Sequence, residues 1–428
     1  MEGIWGEVSH DFEKSINKLK LEHLSLLTVL LTFCPAVYFA FFPGEIVLVT
    51  ILCAYPLFFL NVISWRKVLG TVKLDLAIKL FFAYSTFIFI HGVVMAITYE
   101  DWVNLVSTQF GIFIILPIYL IFANNLRFFL SFFTYFLKIG IPLSLIIFAL
   151  TDDSGPFGFT HVISPIYFLI LVIPFLTYQQ KFLAISISIF SFFADLTIRA
   201  NLVNILISYF LLRFHYVRKR YFFGPLKLLR RLFLMAPPIF LFLGLFGIFN
   251  IFQIGDYFDK YEISSNDGKV QDVLIDSRSQ IYSDVFSQLN RDNALVFGLG
   301  ASGKTKTHLT EIVYTDFDKV YKEGRRGTES GILNYIQFGG LLGGFFYFFL
   351  FLKGSYLAFY KSKNRFMVLF GTWVAFKAMN SFIEDSNIFS VSSVFLFLCI
   401  GLCYNEYLRN LSDDEVRALF RIKKLPTT

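Results

Sequence analysis

The sequence predicts an all-α, polytopic integral membrane protein with about twelve transmembrane helices and one large extracytoplasmic loop. Three observations predict it. Of the 428 residues, 56% are hydrophobic and only 16% are charged, and the mean hydropathy is +0.63. A soluble chain of this size needs far more polar surface. Apolar runs of membrane-crossing length follow one another through most of the chain. The connections between them alternate between Lys/Arg clusters and acidic or neutral turns, which is how cytoplasmic and external loops differ. The one long interval without such a run lies at 253–330. It separates an N-terminal bundle of about nine helices (1–252) from a C-terminal bundle of about three helices and a cytoplasmic tail (331–428).

The same composition excludes other classes. The net charge of +7 does not point to nucleic acid, because the Lys and Arg residues sit in short clusters between apolar runs. The four Cys are too few and too scattered for a disulfide framework. Cys399 and Cys403 lie four apart in an apolar run and read as small residues packing between helices. The first apolar run starts near Leu24, behind a charged leader, and is too long for a signal-peptide core, so it is expected to remain as a span. No motif implies a cofactor, and no metal-ligand cluster is visible.

Taken in order, Lys14, Lys18 and Lys20 precede the first span and set the N-terminus in the cytoplasm. Spans are expected at about 24–42, closed by Pro43-Gly44, and at about 46–63. Trp65, Arg66, Lys67, Lys73 and Lys79 make the next connection cytoplasmic. A span over about 80–98 leads to the external turn Glu100-Asp101, and one over about 103–123 returns to Asn124-Asn125-Leu126-Arg127. The fifth, about 128–150, meets the external stretch Thr151-Asp152-Asp153, and the sixth, about 162–178, ends at Gln179-Gln180-Lys181. Two short spans follow, about 182–197 and 200–214, with Arg199 between them on the outer side. His215 to Arg231 is the most basic connection and is expected inside. The ninth span, about 232–252, carries Pro237-Pro238 near its inner end, where a helix start tolerates proline. The tenth, about 331–352, is cut by Gly339-Gly340 and Gly343-Gly344. The eleventh, about 366–382, holds Lys377 and Asn380 and exits at Glu384-Asp385, and the twelfth is expected at about 388–404. Both termini then lie inside.

Gly298-Leu299-Gly300-Ala301-Ser302-Gly303-Lys304-Thr305 matches the phosphate-loop pattern of nucleotide-binding proteins. That motif needs a buried strand before it and a helix after it, with backbone donors free to surround phosphates. Ala294 to Phe297 is long enough for a short strand, but Lys306-Thr307-His308-Leu309-Thr310 is a poor helix start. No second acidic strand follows, and the loop is external. The segment therefore reads as a glycine-rich turn that lets backbone approach another element or a lipid diphosphate.

Several charges call for a reason. Arg199 lies between two apolar runs, where an arginine must pair, snorkel or face a wet cavity. Asp195 is one available partner; an anion in a cavity is the other reading, since the guanidinium fork grips phosphate oxygens in pairs. Arg278, in Asp276-Ser277-Arg278, opens a helix expected to reach about Leu289, capped by Ser277 or Asp276. Arg325-Arg326 precede Glu329 at the return to the bilayer, either as an interfacial charge pair or as part of a site. Glu329 and Asn334 fall near the outer end of the tenth span, close to where Arg199 emerges. His308 is the one His of six inside the loop. Lys377 is either a site residue or the counter-charge to an acidic group in the bundle. Together these residues suit an elongated, anionic, lipid-attached substrate held at the outer boundary. The 57 Phe and 22 Tyr read mostly as lipid-facing and core-filling.

Four local features occur in one order. Thr197-Ile198-Arg199 places an arginine before a span; Arg278 opens a helix with Tyr282 four on; Phe297-Gly298-Leu299-Gly300 ends a hydrophobic stretch. The fourth is Glu329, Leu333, Ile336, Gly340 and Gly343, a polar residue followed by apolar positions and glycines at helical spacing. With the topology, these resemble the bacterial O-antigen and capsule polymerases, relatives of the O-antigen ligases. The layout resembles that family over nearly the whole chain, and the motifs over roughly 190–345. The chain departs from the ligases at Glu329-Ser330, where they carry a His followed by Asn, which favours a polymerase.

The resemblance implies a GT-C-like membrane glycosyltransferase of the inner membrane, with 253–330 as its periplasmic loop. It implies polymerisation of undecaprenyl-diphosphate-linked oligosaccharide repeat units, with membrane lipids around it and a chain-length regulator and repeat-unit flippase as partners. Arg199 and Arg278 would stabilise charge on the departing diphosphate, with Arg325 or Arg326 assisting, and Lys377 would join them among the substrate-binding residues. Glu329, or His308 in its place, would orient or deprotonate the attacking hydroxyl. Two alternatives stay open. A ligase acting on lipid A core uses nearly the same parts. A lipid-linked oligosaccharide flippase or transporter would show inverted repeats and charges near mid-bilayer, whereas most charges here gather at one face.

Overall fold

The computed structural model describes residues 21–41, 46–69, 74–150, 165–194, 199–245, 262–264, 270–272, 278–306, 324–328, 330–384 and 389–421. Helices hold most of them. In order these are α1 (Leu21–Phe41), α2 (Ile46–Leu69), α3 (Leu76–Met95) and α4 (Tyr99–Phe122). α5 begins as Leu126–Tyr135, passes through a π turn at Phe136–Gly140 and continues as Ile141–Leu150. α6 (Ile166–Val172), α7 (Tyr178–Ala194), α8 (Arg199–His215) and α9 (Lys219–Leu245) complete the first bundle. The long loop contributes a short antiparallel pair, β1 (Glu262–Ser264) with β2 (Val270–Asp272), in which Ile263 faces Gln271. It also contributes α10 (Arg278–Arg291), and after it come α11 (Gly331–Tyr360), α12 (Arg365–Asn380), α13 (Val391–Tyr404), α14 (Glu406–Asn410) and α15 (Asp413–Arg421).

Among the described residues, five helical stretches are long and apolar enough to cross a membrane: Leu48–Trp65, Leu76–Met95, Tyr99–Phe122, Leu126–Ile146 and Gly331–Tyr360. Leu21–Pro35, Ile166–Phe175 and Val391–Tyr404 are shorter apolar helices. Leu48, Leu52, Phe59, Ile90 and Val94 are all more than half exposed, a surface that suits hydrocarbon rather than water. The protein is an all-α, membrane-embedded chain.

Local chemistry sets the helix ends. Asp75 caps α3 by accepting from Ala77 N at 2.8 Å and receives Lys353 Nζ at 2.8 Å. Thr98 and Asp101 form a reciprocal capping box at the start of α4. α4 then widens into π turns at Leu105–Gln109 and Gly111–Ile115 just before Pro117, and α5 does so at Phe136–Gly140 just before Pro142. A proline has no N–H and crowds the carbonyl four residues back, so a regular α turn is lost at such points. Asn364 caps α12 and sends its amide to Leu408 O and Leu411 O, each at 2.9 Å.

Two expectations need correction. The basic segment before the ninth span is helical from Lys219 onward and runs into that span as the single helix α9. Pro237 and Pro238 therefore lie inside a helix, as does Pro225, and not at its first turn. The cationic side chains do not force a loop, because Arg230 is absorbed by the bundle: its Nε donates to Ser355 Oγ at 2.8 Å and its guanidinium lies over the Tyr360 ring.

The core is aromatic. Phe168 of α6 meets the rings of Phe129, Phe133, Phe370 and Phe395 edge-on at 5.3–5.6 Å, contacts that add about 0.5–1.5 kcal/mol each beyond area burial. At one end of the bundle, α3 ends, α4 and α8 start, α11 starts and α12 ends. The long loop joins at this end, the loop face.

α11 is interrupted as the glycine pairs suggest. Gly340 has φ 64° and ψ −166°, so the helix is two pieces meeting at a break. The break frees backbone groups that lipid cannot satisfy. Residues 294–301 fill it: Leu299 N and Gly300 N each donate at 2.9 Å, to Gln337 O and Phe338 O, while Leu341 N donates to Leu295 O at 2.9 Å. Tyr84 Oη completes the set, donating to Gly339 O at 2.7 Å.

Candidate functional site at the loop face

The phosphate-loop look-alike is the filler of that break. Ala294–Phe297 forms turns rather than a strand. Ala301 N donates to Ile88 O at 3.1 Å, Gly303 N to Gly300 O at 2.9 Å and Thr305 N to Arg325 O at 2.9 Å. Ser302 Oγ donates to Gly92 O at 2.9 Å, and Lys304 Nζ lies 3.0 Å from Asp101 Oδ1. Most of the backbone donors that would surround a phosphate are thus spent on α3, α11 and the loop itself. The glycines serve close backbone approach, and the segment lacks the preceding strand of a nucleotide site.

Among the described residues, two polar clusters occupy the loop face. The first joins Lys304 to Asp101 and Arg326 to Glu100, at 2.9 Å between Arg326 Nη2 and Glu100 Oε2, with Asp101 Oδ1 at 3.8 Å. Arg326 also donates to Glu100 O at 2.8 Å. Arg325 is fixed through its backbone, exchanging bonds with Thr305 at 2.7 and 2.9 Å, and its carbonyl receives Gln337 Nε2 at 3.4 Å.

The second cluster is inside the bundle. Lys377, 8% exposed, donates to Asn204 Oδ1 at 2.8 Å, and its ammonium lies 5.1 Å from the Tyr167 ring centre and 5.9 Å from that of Trp373. Asn204 Nδ2 in turn donates to Glu384 Oε2 at 3.4 Å, an oxygen that also accepts from Asn380 Nδ2. One turn up α8, Asn201 accepts from Tyr167 Oη at 2.6 Å and donates to Ser191 O at 3.0 Å. A buried lysine is costly alone, and here an amide bridge and two aromatic faces receive it.

The loop helix is pinned beside this cluster. Tyr282, one turn after the start of α10, donates to Phe382 O at 2.9 Å and lies 3.1 Å from Ser330 Oγ, which donates to Ser381 O at 3.0 Å. Gly331 N donates to Glu384 O at 3.0 Å. Thr328 Oγ1 donates to Asn334 Oδ1 at 2.9 Å, closing the turn that leads into α11.

Of the residues singled out from sequence, Arg199 is the first described residue of α8 and Arg278 the first described residue of α10. Arg325 and Arg326 lie at the first cluster and Lys377 at the second. Glu329 and His308 lie outside the described residues, as do the proposed caps Asp276 and Ser277. Sequence reasoning passed over Asn204 and used Glu384 only as a topology mark. The signals were present as spacing: Asn201 and Asn204 three apart on an apolar helix, and Lys377, Asn380 and Glu384 at helical intervals. Among the described residues, no group of three His, Cys, Asp or Glu is gathered to hold a metal ion.

Across known proteins, no family model, no curated protein and no solved structure matches this chain.

Proposed function

We propose that the chain is a membrane glycosyltransferase that polymerises lipid-diphosphate-linked oligosaccharide units, with undecaprenyl diphosphate as the carrier. In this reading it has about twelve spans in a GT-C-like arrangement, sits in the bacterial inner membrane and works at its periplasmic face. It builds O-antigen or a related surface polysaccharide. The observation that carries the reading is convergence. The first turns of α8 and α10, which carry Arg199 and Arg278, both meet the place where α11 starts and α12 ends, one through Asn204 and Lys377, the other through Tyr282, Ser330 and Phe382. Arginine positions beside a half-buried carboxylate suit departure of a diphosphate and attack by a hydroxyl.

A broken helix such as α11 is also a transporter feature. Here its free backbone groups are taken by residues 294–301 and Tyr84, which leaves no open cradle for a substrate at the break.

The test is the length distribution of surface glycan in cells carrying Arg278→Ala, a deletion or the wild type at matched protein level. Loss of long chains, with single units still reaching the final acceptor, supports polymerisation. Loss of the single unit as well points to a ligase or flippase. An unchanged ladder removes Arg278 from the site.

A further inference from the structure

We propose that Glu384 is the carboxylate that takes the proton of the attacking sugar hydroxyl, and that Lys377, acting through Asn204, is its positioning residue. The inference rests on the glycosyl-transfer reading above and assigns the base within it.

Glu384 differs from Glu100, Asp101 and Asp292. Glu100 and Asp101 are paired with Arg326 and Lys304, and Asp292 lies 3.9 Å from Arg291. A carboxylate held against a cation is a poor proton acceptor. Among the described residues Glu384 meets no cation directly. Its Oε2 accepts only from the amides of Asn204 and Asn380. Its backbone is fixed on both sides, the N–H donating to Asn380 O at 2.9 Å and the carbonyl accepting from Gly331 N at 3.0 Å.

Lys377 decides which way Asn204 points. A lysine ammonium can only donate, so the amide oxygen of Asn204 must face it, 2.8 Å away. The Asn204 NH₂ is then left for Glu384. An uncharged residue at 377 would release that constraint, and the amide could turn its oxygen toward the carboxylate. Phe382, whose carbonyl holds Tyr282, is two residues before Glu384, so the carboxylate lies beside the helix that Arg278 opens.

In the step proposed, the acceptor hydroxyl oxygen forms a bond to the anomeric carbon of the lipid-linked donor while its proton passes to Glu384. The bond from that carbon to the diphosphate oxygen breaks, and its electron pair leaves with the diphosphate. The proton is then released to water, and the carboxylate is restored.

The test uses purified full-length protein in lipid nanodiscs, with lipid-linked repeat units extracted from cells lacking this chain. Glu384→Gln, which keeps shape and an acceptor oxygen, is expected to lower kcat by about 10²-fold or more with KM changed less than about threefold. Lys377→Met is expected to lower kcat by less and to move the acid limb of the pH–rate profile. Glu384→Gln at half of wild-type kcat or more overturns the assignment, as does a Lys377→Met profile identical to wild type. If the Gln variant does not accumulate, Glu384→Asp replaces it: a shortened base should cost at least about tenfold in kcat, and no loss overturns the proposal. Wild-type protein that makes no polymer from these units, in a reaction where a membrane extract does, instead sinks the glycosyl-transfer reading itself.

Discussion

Gly298 and Gly340 meet backbone to backbone: a Cβ on Gly298 would overlap the amide nitrogen of Gly340, and one on Gly340 would overlap the carbonyl of Val296. Both residues have positive φ, 75° and 64°, so a side chain is opposed by conformation and by space. Gly298→Ala and Gly340→Ala are each expected to destabilise the protein by about 2–5 kcal/mol, the sum of overpacking and left-handed strain. Gly224→Ala is the control: nothing lies within 4 Å of its Cβ position inside α9, and the change should stabilise by about 0.5–1 kcal/mol. Thermal unfolding in detergent, followed by thiol labelling of the buried Cys399 and Cys403, separates the two outcomes.

Lys304 is engaged with Asp101 rather than with a phosphate. A titration with a fluorescent adenine or guanine nucleotide should therefore give no saturable signal in wild type or in Lys304→Ala. The variant should still lose stability, by about 1–3 kcal/mol, because Asp101 loses its nearer cation in a mostly buried setting and keeps only Arg326, 3.8 Å away. Saturable nucleotide binding abolished by Lys304→Ala would contradict the structure.

Tyr282→Phe removes one oxygen that ties the loop helix to the membrane bundle. The Phe382 carbonyl loses its donor in a buried place, a cost of about 1–3 kcal/mol. The expected signature is local: faster proteolysis within α10 and shorter glycan chains, with the bundle unfolding at a nearly unchanged temperature.

Lys377 and Glu384 should be energetically coupled though they do not touch. A double-mutant cycle with Lys377→Met and Glu384→Gln is expected to give an interaction energy of about 0.5–3 kcal/mol, carried by Asn204. Repeating it in an Asn204→Leu background should bring the coupling close to zero. Persistent coupling there would mean that the two groups sense each other through another route.

Arg326 is already balanced by Glu100, and its side chain is 27% exposed. Arg326→Ala should cost no more than about 1 kcal/mol in stability. Its effect on glycan chain length should be smaller than that of Arg278→Ala. Equal effects would show that the Glu100 pair opens during turnover.

Much of this was legible in the residues. Apolar runs and alternating charge gave the all-helical membrane class, and Gly339-Gly340 marked the break in α11. What escaped was depth and distance. Residues 294–301 have the polarity and glycine content of an exposed turn, and nothing local reveals that their amides end among helix carbonyls. Asn204 and Glu384 are 180 residues apart, so their bond is written in tertiary packing alone. The basic stretch ahead of α9 misled for a related reason: charge reports which side of a membrane a segment prefers, but it does not prevent that segment from being helical.

The break in α11 also orders the birth of the molecule. Residues 294–301 leave the ribosome before 337–342, so the strip of backbone that completes the broken span is made before the span itself. Until the two meet, α11 would carry naked peptide groups at hydrocarbon depth, which lipid does not tolerate. The earlier bundle, with Ile88 and Gly92 of α3 already in place to receive Ala301 and Ser302, provides the dock on which that strip can wait. The last spans of the chain are therefore expected to insert onto a prepared template, and truncations that end before 342 should leave a docked loop rather than a loose one.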